Sequence, residues 1–139
     1  MTDEKEKKAQ EVYMEYQMLE QHIKQLQKQI EAVTQQLMEL TVTHNSLDEF
    51  KKIDAGKEIL VPLSSGIFAK ANVKDTSELL VNVGANVAVS KDVASTRKLI
   101  QSQIDEIRKI HKQMIEEFER MTSHAAQLEQ KLQTIVSEG

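Results

Sequence analysis

Side chains able to do chemistry near neutral pH are few in this chain: four histidines, His22, His44, His111 and His124, and no cysteine. Without a thiol there is no thiolate metal site, thiol nucleophile or disulfide framework. A zinc or general-base site needs a second ligand, or an orienting carboxylate, on the same face. His44 and His111 each stand alone on an apolar stripe, where a polar residue serves to set helix register. His22 and His124 flank the two stripes and are placed to face each other, but two imidazoles without a carboxylate make a weak metal site. No nucleophile–base grouping, paired-carboxylate cleft, phosphate-cradling glycine loop or zinc spacing occurs, and Gly84-Ala85-Asn86 reads as a turn. The chain is expected to be neither an enzyme nor a cofactor or metal binder.

The elements that would have to position any site are two long helices and a β-rich insert. From Ala9 the apolar series runs Val12, Tyr16, Leu19, Ile23, Leu26, Ile30, Val33, Leu37, Leu40, His44 and Leu47, alternating steps of three and four. Such an a/d series, unbroken over several heptads, marks a coiled-coil helix rather than an ordinary amphipathic one. It predicts a helix from about Lys8 to Phe50, on the order of 60–70 Å long. Thr2 to Lys8 reads as a frayed, mixed-charge lead-in, and Asp54 with Gly56 as the stop. The second series is Val93, Arg97, Ile100, Ile104, Ile107, His111, Met114, Phe118, Met121, Ala125, Leu128, Leu132 and Ile135, with Ser90 or Asp92 as the cap. Equal stripes joined through the insert predict antiparallel pairing within the chain. Facing positions would have residue numbers adding to about 144, so that Leu47 meets Arg97, Val33 meets His111 and Val12 meets Leu132, a one-heptad shift being the alternative. The flanking e and g positions are mostly Gln and Thr, so the covalent connection rather than charge selects the partner.

The insert holds the only proline and three of the four glycines. Its apolar runs, Glu58–Leu63, Ile67–Val73, Leu79–Val83 and Val87–Val89, are separated by turn residues and predict two successive β-hairpins. Alternation places Ile59, Val61 and Leu63 on one face with Ile67, Ala69, Ala71 and Val73, then Leu79, Val81 and Val83. Glu58, Lys70, Asn72 and Asn82 fall on the other, and Pro62 indicates an edge. Four short strands cannot bury a face alone and leave unpaired edges, so inserts of several chains are expected to join into a shared sheet or barrel. The expected class is α+β, mostly α. A long antiparallel two-helix coiled coil would carry two hairpins at its closed end, with residues 1–52, 53–91 and 92–139 as helix, assembly region and helix.

Composition agrees with such a rod. Aromatic residues make up 4% of the 139 and tryptophan is absent, which a coiled coil tolerates better than a globule. A net charge of −4, from 18 basic and 22 acidic residues, offers no basic stripe for nucleic acid or an anionic membrane. No segment has the length and apolarity of a membrane span or a secretion signal, so a soluble, cytoplasmic protein is expected.

Apolar residues in excess of the seam gather at the helix ends near the termini. Tyr13, Met14 and Met18 lie off the seam beside Val12, Tyr16 and Leu19, and Val136 lies off it beside Leu128, Leu132 and Ile135. Together they suggest a soft surface for varied apolar partners. The chain resembles the prefoldin family, specifically its archaeal α class. The resemblance rests on the helix, two-hairpin, helix order and on Leu60-Val61-Pro62-Leu63, Gly66-Ile67-Phe68-Ala69-Lys70-Ala71, Asp75 and Val81-Asn82-Val83-Gly84-Ala85. It implies a hexamer of two α-type and four single-hairpin β-type subunits whose hairpins close a double β-barrel. Ile59, Val61, Leu63, Ile67, Phe68, Leu79, Val81, Val83, Val87 and Val89 would be its assembly residues. It also implies ATP-independent capture of unfolded polypeptides at the coil tips, through Val12, Tyr13, Tyr16, Leu19, Leu128, Leu132, Ile135 and Val136, and delivery to a group II chaperonin. A structural coiled-coil adaptor that spaces two fixed partners is the alternative.

Overall fold

The computed structural model describes residues 2–137. The order is α1 (Thr2–Lys51), β1 (Glu58–Ser64), β2 (Ile67–Asn72), β3 (Leu79–Gly84), β4 (Val87–Lys91) and α2 (Val93–Ser137). Helix α1 already includes the residues expected to fray. Asp3 and Glu4 in its first turn complement the helix dipole, and Asp3/Lys7 and Glu4/Lys8 are opposite charges at the helix-stabilising spacing of four. A mixed-charge segment with no breaker extends a long helix rather than ending it.

The chain divides into two compact units. One joins α1 up to Gln36 with α2 from Ile107, and the other comprises Leu37–Glu106. In the first, the antiparallel course of the helices brings Glu15 to His124 and Thr34 to His111. Every residue of the α1 series from Ala9 to Val33 is buried or half-buried, while its immediate neighbours in the chain are exposed. Val12, Leu26, Ala125 and Leu128 are its most enclosed side chains. The seam alone forms this core.

The second unit contains the remaining helical segments and the hairpins. Val73, Val93 and Ile104 are buried apolar groups here, together with Thr96, whose hydroxyl donates to the Asp92 carbonyl at 2.8 Å. Asp92 is the cap of α2: its Oδ1 accepts the Ser95 N–H at 2.7 Å. At the end of α1 the chain tightens through Lys52 and Ile53, then reverses at Gly56, whose φ of 88° lies in the left-handed region that glycine enters without strain. The Gly56 N–H donates to the Val73 carbonyl at 2.6 Å and the Val73 N–H to the Lys57 carbonyl at 2.9 Å, closing the base of the first hairpin over the buried Val73 side chain.

The strands form two separate two-stranded antiparallel sheets, β1 with β2 and β3 with β4, rather than one four-stranded patch. Between them, Asp75 holds the linker in a tight turn, accepting the Ser77 N–H at 2.9 Å and the Ser77 hydroxyl at 2.6 Å. Both strands of a two-stranded sheet are edges, which accommodates Pro62. Each hairpin has an irregularity just before its turn, between Pro62 and Ser64 and between Asn82 and Gly84. Leu63 and Val83, expected to continue the alternation, sit instead in these bulges, outside the ladder. The second turn places Ala85 and Asn86 at φ 51° and 60°. Two successive left-handed residues make the turn whose twist suits a hairpin.

Candidate functional site

Two of the polar seam residues, His111 and Arg97, have partners on the facing helix. His111 Nε2 lies 3.1 Å from Thr34 Oγ1, whose own proton is donated to the Ile30 carbonyl at 2.8 Å. Nε2 must therefore carry the proton and donate it, so this nitrogen has no free lone pair for a metal. Arg97 likewise pairs with Asp48 at 3.1 Å. Each reaches the flanking e position, one residue beyond the Val33 and Leu47 expected opposite it, because the seam centre is apolar and the polar head leans outward. His124 meets Glu15 at 3.3 Å. His22 lines a shallow hollow with Gln25, Leu26, Gln29, Glu117 and Met121. The facing His22–His124 pair does not form. Among the described residues no three His, Asp or Glu side chains converge as a metal site.

The apolar residues near the termini fall into two sets. Val12 and Leu128 are buried in the seam, and Tyr16, Leu19, Leu132 and Ile135 are half-buried along it. Tyr13 (49% exposed), Met14 (63%), Met18 (60%) and Val136 (67%) face solvent. Sequence reasoning put all eight candidate residues on one surface. Val12 and Leu128 are enclosed between the helices, and Tyr13, Val136 and the two methionines are the accessible part.

In the same unit is a groove of about 400 Å³ lined by Tyr16, Ile23, Phe118, Ala125 and Ala126 and by the polar Glu20, Lys24, Gln27, Thr122 and Glu129. Two adjacent alanines leave space that larger side chains would fill. The Tyr16 phenol is raised above its ordinary value, chiefly by hydrogen bonding to Glu20, then by burial and the nearby charges of Glu20 and Glu129. It stays neutral at physiological pH, so the phenol adds no charge to the groove. Such a groove can take an apolar side chain but has no group positioned to attack one.

In the hairpins Ile59, Leu79, Val81 and Val89 are half-buried, while Val61, Leu63, Ile67, Phe68, Val83 and Val87 are exposed. Leu60 (63% exposed) and Leu80 (82%) extend the apolar surface to the face expected to be polar. The consecutive apolar run Ile59-Leu60-Val61-Pro62-Leu63 signals this, since strict alternation would have put a polar residue at Leu60. Exposed apolar side chains therefore stand on both hairpins, each with free ladder edges.

The Prefoldin family model, a prefoldin subunit, matches residues 19–138. Prefoldin subunit alpha of Archaeoglobus fulgidus is 30% identical over 114 residues, covering 77% of this chain and 83% of that protein. Prefoldin subunit alpha of Methanococcus aeolicus is 27% identical over 124 residues, covering 89% and 84%. Among solved structures, a filamentous PFD from Methanocaldococcus jannaschii superposes with a TM-score of 0.63 at 20% identity, over 94% of this chain and 99% of that one. No helix among the described residues is long and apolar enough to cross a membrane.

Proposed function

The chain belongs to the prefoldin family of chaperone subunits, and from that membership together with its exposed apolar side chains we propose that it captures unfolded polypeptides without ATP. The observation that carries this reading is the exposed set Tyr13, Met14, Met18 and Val136 near the chain termini. Methionine and tyrosine adapt to side chains of many shapes, which suits a binder of unfolded sequence more than a spacer with one fixed partner. Half-buried Tyr16, Leu19, Leu132 and Ile135 flank that set. The hairpins serve assembly: their unpaired edges and exposed apolar faces support closure with four single-hairpin β-type partners and a second α-type copy. Delivery of the captured chain to a group II chaperonin and a cytoplasmic location complete the proposal.

The test is light scattering of an aggregation-prone protein during refolding, with the purified assembly present. Deleting about the first 15 and last 10 residues removes Val12, Tyr13, Met14, Leu132, Ile135 and Val136, large side chains each worth about 1.5–3 kcal/mol if fully buried on a client. The truncated chain should still assemble, since the hairpins and the seam from Leu19 to Leu47 remain, and should no longer suppress scattering. A truncated assembly that captures clients as well as the intact one rules out Tyr13, Met14 and Val136 as the client site.

A further inference from the structure

The distribution of methionine in α1 is uneven. Its seam, from Ala9 to Leu47, uses Leu, Ile, Val and Ala with one Tyr and one His but no Met, whereas Met14, Met18 and Met38 all stand at exposed positions off it. In α2 the reverse holds: Met114 and Met121 are half-buried seam residues. Leucine has nearly the same helix propensity as methionine, so helix formation does not account for the thioethers. Met14 and Met18 lie one turn apart, hence side by side, within the exposed apolar set.

We propose that Met14 and Met18 are a redox modification site through which peroxide-class oxidants weaken client capture; the proposal rests on the client-binding reading above. In the step, a lone pair of the Met Sδ attacks one oxygen of hydrogen peroxide. The O–O bond breaks, an S=O bond forms and water leaves, so sulfur loses two electrons and the peroxide gains them. The product is a polar sulfoxide that accepts hydrogen bonds, and it interrupts the apolar surface at its two most exposed flexible side chains. Two thiols of a reductase return the thioether, forming a disulfide and releasing water, so the change is reversible. Met38, exposed at 58% but outside the set, reacts without affecting capture. Met114 and Met121, covered by the seam, react slowly.

The experiment treats the intact assembly with hydrogen peroxide, locates added oxygen by peptide mass spectrometry and measures suppression of scattering in parallel. Early oxygen at Met14, Met18 and Met38, with a several-fold loss of suppression, is expected. Measured against the untreated capture of each variant, the loss should be prevented by Met14→Leu/Met18→Leu, not by Met38→Leu, and reversed in the parent by a methionine sulfoxide reductase. Untreated Met14→Gln/Met18→Gln should reproduce the oxidised phenotype. Full oxidation of Met14 and Met18 with unchanged capture overturns the proposal, as does oxidation no faster than that of Met114 and Met121. The underlying reading fails separately: its failure appears without oxidant, as capture by the terminally truncated chain.

Discussion

Asp92 governs the passage from β4 into α2 through one carboxylate. Its hydrogen bond from the Ser95 N–H, the largest influence, and the Ser95 hydroxyl hold its carboxyl below the ordinary value, with Lys98 and Lys91 adding to the effect. Asp75 is lowered likewise by the Ser77 hydroxyl and N–H. A depressed folded-state value means stabilisation that is complete above the unfolded carboxylate pKa, about 3.9, and is lost as pH falls through the folded value below it. Thermal melts followed by circular dichroism should therefore show Asp92→Ala less stable than the parent at pH 7, with the two converging in strong acid. A constant gap at both extremes would refute a carboxylate cap. The turn residue Ala85 supplies a second check: its left-handed φ of 51° carries the Cβ penalty. Ala85→Gly should preserve or raise the melting point, and Ala85→Val should lower stability by about 1 kcal/mol or more. The cap was legible in the sequence as one of two candidates, because its side-chain type and its place before an apolar series are local signals. The Thr34–His111 and Asp48–Arg97 pairs were not, because finding them requires the register between two helices to within one residue.

For the helices, the seam is both the most legible feature and the one on which stability depends. A period of three and four shows in any window long enough, and the burial of α1 follows it residue by residue. The predicted start at Lys8 came too late for a simple reason: apolar spacing marks where a helix is packed, while a charged extension helical by propensity and charge spacing leaves no apolar trace. In the hairpins the turns were legible from Ser65-Gly66 and Ala85-Asn86. The bulges were not, since an extra residue in a short strand cannot be distinguished by period two from a continued one. Leu26, 7% exposed, tests the seam directly. Leu26→Ala should cost about 2–3 kcal/mol in urea unfolding, toward the low end of the range for buried leucine because a two-helix core can partly collapse. Leu37→Ala, at a half-buried seam position, should cost less. Equal losses at the two positions would mean that packing is not graded by burial along the seam.

At the scale of the molecule, two hairpins with free edges and apolar side chains on both faces are unfinished as a monomer. Two-stranded sheets are marginal in water unless other structure covers them, and Leu60, Phe68 and Leu80 remain more than half exposed. Alone, the chain should sediment as ill-defined oligomers; mixed with a single-hairpin β-type partner, it should give one hexameric species. Val81 and Asn82 separate the surfaces involved. Val81 pairs with Val89 across the ladder and is half-buried, whereas Asn82 pairs with Ala88 and is exposed, its Oδ1 accepting the Gly84 N–H at 2.9 Å. Aspartate at position 82 keeps that acceptor and leaves its charge in water. At position 81 the same charge must be desolvated wherever the Val81 face is covered by a partner, at a cost of several kcal/mol. Val81→Asp should therefore prevent the hexamer in analytical ultracentrifugation while leaving the helical circular dichroism of the chain intact, and Asn82→Asp should assemble normally. If both variants assemble, the Val81 face stays in water and the subunits join through the Leu60, Phe68 and Leu80 face. If the unmodified chain alone sediments as a monomer with its full strand content, the hairpins need no partner and the shared-barrel argument fails.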